Sequence, residues 1–175
     1  MQTSEALVPG SRPQLKPSEH ALNDDTAALL VVRNQLSELP RVTAWVHAWV
    51  RQYGLPARTA ERLDVCATEV VTNIVIHGYT RGTAAEISLQ LACQDERVTL
   101  AIEDDGIPFD PRQVPEPPAP VSLEDAAIGG RGIQLVRRFS DQWHYSRLAR
   151  RNRSTLIIRL SRPCGSGPSS QPATH

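Results

Sequence analysis

Between Glu86 and Ile102 polar and apolar residues alternate, as Glu86-Ile-Ser-Leu-Gln-Leu and then Arg97-Val-Thr-Leu-Ala-Ile, around Gln94-Asp95-Glu96. A period of two puts every second side chain on one side of a pleated strand, so this stretch reads as a hairpin with one buried face. That face needs a cover, and the chain supplies helical patterns for it. After an apolar run from Ala27 to Arg33, which reads as a strand, Leu36, Leu39, Val42, Val46, Trp49 and Val50 recur at helical spacing up to the break at Gly54-Leu-Pro56. Trp45 and Trp49 fall with Val42 and Val46 and are expected in the core. A second helix is expected from Ala57 to His77 or Gly78, with Leu63, Cys66, Val70 and Ile74 as its apolar stripe and Gly78 as its stop.

Six prolines between Pro108 and Pro120 rule out regular structure there and suggest a loop or lid. A helix from Ile133 to about Ser140 follows, then a second hairpin from Gln142 to Ala149 and Ser154 to Leu160, with its turn at Arg150-Arg-Asn152. The order is strand, two helices, two strands, lid, helix, two strands. It predicts an α/β (α+β) two-layer sandwich: a mixed, mostly antiparallel sheet with helices on one face. The expected domain spans residues 25–161, with the lid at about 110–129. Residues 1–24 and 162–175, rich in proline and polar residues, are expected to be disordered tails.

Composition excludes several functions. The formal net charge is zero, so no global field draws the chain to nucleic acid or to an anionic membrane. The run Arg147 to Arg153, with four arginines, reads as a solvated face. Lys16 is the single lysine and lies in the N-terminal tail, so neither a P-loop NTPase nor a eukaryotic-type protein kinase can be built, since each needs a lysine on the phosphates. Cys66, Cys93 and Cys164 are odd in number and widely spaced, a pattern that argues against a disulfide scaffold or a zinc site and suggests reduced, mostly structural thiols. No segment has the length of a membrane span or the pattern of a signal peptide, and a cytoplasmic location is expected.

Three short segments carry chemistry. On the second helix Glu69, Asn73 and His77 line one flank of the apolar stripe. A glutamate with an asparagine one turn away can supply a general base and an oxygen ligand for Mg²⁺, although the same spacing suits an ordinary amphipathic helix with solvated polar residues. At a strand end, Asp104-Asp-Gly106-Ile-Pro-Phe-Asp-Pro111 sets a carboxylate beside a glycine turn. Such an acid can accept a hydrogen bond from an exocyclic amine such as that of adenine; a plain acidic turn is the alternative. Gly129-Gly130-Arg131-Gly132-Ile133 precedes a helical pattern, where backbone N–H groups could approach phosphate oxygens or the glycines could only shape a loop.

Taken together and in this order, the segments resemble the GHKL ATPase superfamily of gyrase, histidine kinases and MutL, and within it the small anti-sigma serine kinases of the RsbW and SpoIIAB kind. The resemblance covers about residues 27–160. Glu69 to Tyr79 is similar to the N box, Asp104-x-Gly106 to the first glycine box and Gly130-Arg-Gly132-Ile133 to the second. The resemblance implies Glu69 as general base, Asn73 as Mg²⁺ ligand, Asp104 as reader of the adenine amine and Gly106 as the residue that lets the base pack closely. It further implies that Gly130, Arg131, Gly132 and Ile133 hold the phosphates, that the proline-rich segment up to Ile128 is the ATP lid, and that Thr155 lies near the adenine. His77 is expected to cap or pack at its helix end rather than catalyse. The implied activity is ATP-dependent phosphorylation of a serine or threonine on a STAS-domain anti-anti-sigma protein, with a sigma factor as the alternative partner and a homodimer through the N-terminal strand and helix. Neither direct nucleic-acid binding nor a membrane is implied. Ile133 and Gln134 depart from the leucine and apolar residue common in the third box. A non-catalytic ATP-binding module would carry the same motifs, and so would a detached catalytic domain of a sensor histidine kinase, which the short segment before Ala27 disfavours.

Overall fold

The computed structural model describes residues 27–80, 82–115 and 131–164. Strand β1 (Ala28–Arg33) leads through a 3-10 turn (Leu36–Glu38) into helix α1 (Leu39–Gln52), and helix α2 (Ala57–His77) follows. Gly54, at φ 61°, makes the reversal between the helices, a backbone conformation that glycine adopts without a Cβ penalty. Strands β2 (Glu86–Gln94) and β3 (Arg97–Asp104) form the expected hairpin. After a 3-10 turn at Pro111–Gln113, a short regular piece within the proline-rich stretch, come helix α3 (Gly132–Phe139) and strands β4 (Gln142–Leu148) and β5 (Arg151–Arg159).

The five strands run in the order β1-β2-β3-β5-β4. Every neighbouring pair is antiparallel, so the sheet is more uniform than the mixed one expected. One face of it, with Val32, Ile87, Leu89, Leu91, Val98, Leu100, Ile102, Leu156 and Ile158, packs against Val42, Val46, Leu63, Cys66, Val70 and Val71 of α1 and α2. Trp49 is buried in this core and Trp45 packs at its margin. Arg62 on α2 donates to the Phe139 carbonyl at 2.9 Å and to Asp141 at 2.9 Å, and Asp141 also accepts from the Arg159 N–H at 2.7 Å. This knot fixes the C-terminal end of α3 to α2 and β5.

The cysteine reading is corrected. Cys93 on β2 and Cys164 beyond β5 are joined by a disulfide, with Cα atoms 6.0 Å apart across 71 residues of sequence. Sequence spacing did not show this because the β2–β3 hairpin and the return of β5 bring distant positions together. The segment after β5 is held there by Leu160 N donating to Glu96 O at 2.8 Å and Cys164 N to Asp95 O at 2.7 Å. Residues 162–164 are therefore anchored rather than part of a disordered tail. Residues 1–24, 165–175 and most of the expected lid lie outside the described residues. Cys66 fits the structural-thiol reading: it is free and buried, and burial pushes its thiol up to about 12, leaving it unreactive.

Candidate nucleotide site

A pocket opens between the C-terminal half of α2 and the end of the sheet. From α2 come Val70, Asn73, Ile74 and His77, with Gly78 just beyond; from β3 comes Asp104. Ile107, Phe109 and Pro111 close one side, and Trp143, Tyr145, Asn152 and Ser154 of β4 and β5 close the other. Asn73 and Asp104, separated by 31 positions in sequence, thus face one cavity. His77 is exposed at the rim.

Asp104 is 4% exposed and sits at the last position of β3. Gly106 N donates to its Oδ1 at 2.8 Å, and so does Asn152 Nδ2 at 2.8 Å. Burial pushes the Asp104 carboxyl above the ordinary range, against the pull of these two donors; neighbouring Asp105 adds to the rise and Arg147 offsets it. The next residue, Asp105, turns away to bond Tyr79 Oη at 2.8 Å. The Tyr79 hydroxyl is pushed up by its burial and by that carboxylate.

Gly106 is buried, and a Cβ there would meet the Gly78 carbonyl oxygen well inside van der Waals contact and Asp104 Oδ1 at 2.8 Å. The need for glycine is close approach, with the end of α2 and the turn after β3 packed backbone to backbone. Ile107 N seals the contact by donating to Gly78 O at 2.9 Å. Gly132 opens α3, and a Cβ there would collide with Glu69 Oε2. The half-buried Glu69 carboxylate therefore lies against the first residue of α3, one turn from Asn73 and beside the pocket rather than in its wall. Ile133 is buried, Arg131 is exposed at the cap position, and Gly130 lies outside the described residues.

Thr155 is placed differently from the expectation. Strand β5 alternates so that Asn152 and Ser154 face the pocket and Thr155, paired with Ala101, falls on the opposite side of the sheet. Sequence reasoning missed Asn152, Ser154, Tyr145 and Trp143. The β4–β5 turn falls at Ala149 and Arg150, with Ala149 at φ 54°, and β5 begins at Arg151, three residues before the expected start of the last strand. Asn152 therefore belongs to the strand, on the same face as Ser154, Leu156 and Ile158. Trp143 Nε1 is buried with no hydrogen-bond partner among the described residues, a donor that a ligand could satisfy.

Among the described residues no group of three or more His, Cys, Asp or Glu side chains could hold a metal by itself. Mg²⁺ does not need one, since it is commonly bound through one or two protein oxygens and the phosphates of a nucleotide, and the Asn73 carboxamide in the pocket wall suits that role. No helix among the described residues is long and apolar enough to cross a membrane.

An antiparallel sheet covered on one face by helices thus carries a pocket lined by a buried carboxylate and a helix-borne asparagine. The chain matches the histidine kinase-like ATPase domain over residues 32–160 and belongs to that family. It is 38% identical over 112 residues to the serine/threonine-protein kinase BtrW of Bordetella bronchiseptica, covering 62% of this chain and 79% of that protein. It is 22% identical over 113 residues to an anti-sigma F factor of Clostridium perfringens, covering 65% and 79%. Among solved structures, one of the RsbU and RsbW domains of a Mycobacterium tuberculosis protein shares the fold, with TM-score 0.52 and 17% identity. That match covers 79% of this chain and 34% of the solved one, so the present chain spans about a third of it.

Proposed function

We propose that this chain is an ATP-dependent protein serine/threonine kinase and anti-sigma factor. It phosphorylates a STAS-domain anti-anti-sigma protein and holds a sigma factor when that protein is phosphorylated. The observation that carries the reading is the convergence of Asn73 and Asp104 on one pocket while the Glu69 carboxylate abuts the first residue of α3. The likeness to proteins named serine/threonine-protein kinase and anti-sigma F factor supports the class of substrate and partner.

In this reading Asp104 accepts a hydrogen bond from the adenine amine, and Gly106 lets the base lie close. Gly130, Arg131, Gly132 and Ile133 hold the phosphates at the start of α3. Asn73 would hold Mg²⁺ against the phosphates, and the ion would supply charge neutralisation there. The acceptor hydroxyl oxygen bonds to the γ-phosphorus, the bond to the β–γ bridging oxygen breaks, ADP leaves, and Glu69 takes the hydroxyl proton. Phosphate on the acceptor then adds charge and frees the kinase to take its sigma factor. The working unit is residues 25–161 with a lid at about 110–129, acting in the cytoplasm. Exposed Leu29 and Val31 on edge strand β1 support a homodimer through that strand.

The test is to incubate the chain with labelled ATP, Mg²⁺ and the STAS protein encoded beside it, in parallel with Glu69→Gln. The proposal expects label on a serine or threonine from the native chain and almost none from the variant. ATP binding without transfer by the native chain would replace the kinase with a nucleotide-gated binding module.

A further inference from the structure

We propose that Asn152 is a positioning residue for adenine recognition: its amide nitrogen clamps one oxygen of Asp104 and so presents the other to the ligand. The inference rests on reading the pocket as an ATP site and adds a determinant of base selectivity to it.

Asn152 is directly across from Asp104 in the β3–β5 register and is 6% exposed. Both hydrogen bonds that reach the Asp104 carboxylate from the described residues fall on Oδ1, from Asn152 Nδ2 and from Gly106 N. Oδ2 is left as the acceptor for a base. The amide is itself held on both sides. Its oxygen accepts from Tyr145 Oη at 2.8 Å and from Arg147 Nη1, and its nitrogen also donates to the Ile107 carbonyl at 3.1 Å. Tyr145 Oη in turn accepts from Phe109 N at 3.3 Å, and Arg147 donates to the Gly106 carbonyl at 3.1 Å.

Only one orientation of the amide satisfies these neighbours. Reversed, its oxygen would face a carboxylate oxygen and a carbonyl, and its NH₂ would face a guanidinium, which accepts nothing. A carboxylate torsion is broad and roughly two-fold, so Asp104 held by one backbone donor alone could turn. A connected network, buried at Asp104 and Asn152 and half-buried at Tyr145 and Arg147, removes that freedom before the base arrives. Asn152 acts through Asp104 and need not touch the nucleotide.

The experiment is calorimetric titration with ATP and with GTP, in Mg²⁺, of the native chain, Asn152→Ala, Asn152→Asp, Asp104→Asn and the Asp104→Asn/Asn152→Ala double variant. Asn152→Asp keeps the acceptor for Tyr145 and Arg147, removes the donor to Asp104 and to the Ile107 carbonyl, and sets a second carboxylate against Asp104 Oδ1. The expected result is a fall of about tenfold or more in ATP affinity for both Asn152 variants with GTP affinity little changed. In the Asp104→Asn background Asn152→Ala should cause no further fall. Tyr145→Phe, which loosens the amide without altering either residue, should give a smaller loss of ATP preference and covers the case in which an Asn152 variant does not fold. Native ATP-over-GTP preference in the variants, equal losses for both nucleotides, or an undiminished effect in the Asp104→Asn background would each overturn the proposal while leaving the ATP site standing. Failure of the native chain to bind ATP would overturn the underlying reading as well.

Discussion

Gly106→Ala tests whether the site depends on the close approach of α2 to the turn after β3. The added methyl would fall inside contact distance of the Gly78 carbonyl oxygen, 3.1 Å from its carbon and 2.8 Å from Asp104 Oδ1. Neither neighbour can retreat freely. Gly78 is tied by its N–H to Ile74 O at 2.8 Å and by its carbonyl to Ile107 N at 2.9 Å, and Asp104 Oδ1 holds two donors at 2.8 Å. Overpacking of this kind costs about 1–3 kcal/mol. Losing the Ile107–Gly78 hydrogen bond adds about 1 kcal/mol. A loss of about 2–4 kcal/mol leaves a domain of ordinary stability folded but displaces Asp104 from the Asn73 wall. Urea unfolding read by linear extrapolation gives the stability change, and calorimetry with ADP gives the affinity, expected to fall by about tenfold or more. Gly54→Ala is the control: its φ of 61° strains an alanine, but no atom lies within 4 Å, so it should cost about 1 kcal/mol with native nucleotide affinity. A Gly106→Ala chain within about 0.5 kcal/mol of native stability and with native affinity would refute the close-approach argument.

Asp104→Asn should erase the preference for ATP over GTP. Because burial raises the Asp104 pKa, the ionised acceptor should be lost at a higher pH than for an ordinary carboxylate; ATP affinity should weaken as pH falls through that range in the native chain and stay flat in the variant. At Asp141 burial acts to raise the pKa, but the Arg159 N–H and the Arg62 guanidinium outweigh it and hold the carboxyl below its usual range. Its stabilisation is present above the ordinary carboxylate pKa and lost as pH falls through the depressed one, so Asp141→Ala, screened by solvent at this exposed position, should cost no more than about 1 kcal/mol at neutral pH, in urea unfolding, and almost nothing in strong acid. Reducing the Cys93–Cys164 bond releases a loop of 71 residues; chain entropy puts the loss at up to about 4 kcal/mol, checked by unfolding with and without dithiothreitol, while nucleotide affinity should hold because the bond lies at the far end of β2.

Periodicity carried the fold a long way. The stripe Leu63, Cys66, Val70, Ile74 and the alternation of β2 and β3 are each a buried face written in the residues, and all of these elements stand where expected. The three motif segments were legible as separate local patterns, and the fold brings Asn73, Asp104 and Gly106 to one place. What was hidden depends on three dimensions or on where a strand begins. A turn at Ala149-Arg150 carries no glycine or asparagine to announce it, so the start of β5 is hidden in the sequence, and the family resemblance points to Thr155 where the pocket is lined by its neighbour Ser154. Asn152 then looked like a turn residue, although it is the cross-strand partner of Asp104. Cys93 and Cys164 are far apart in the chain and meet only because a hairpin and a returning strand end side by side.

A crystal structure of the chain with Mg²⁺ and a non-hydrolysable ATP analogue would locate the nucleotide and the atoms that read it. The adenine amine should lie within hydrogen-bond distance of Asp104 Oδ2, the metal on the Asn73 carboxamide oxygen, and the phosphates at the start of α3 beside Glu69. Nucleotide bound elsewhere on the chain, or in the pocket with its amine turned away from Asp104, would contradict this placement.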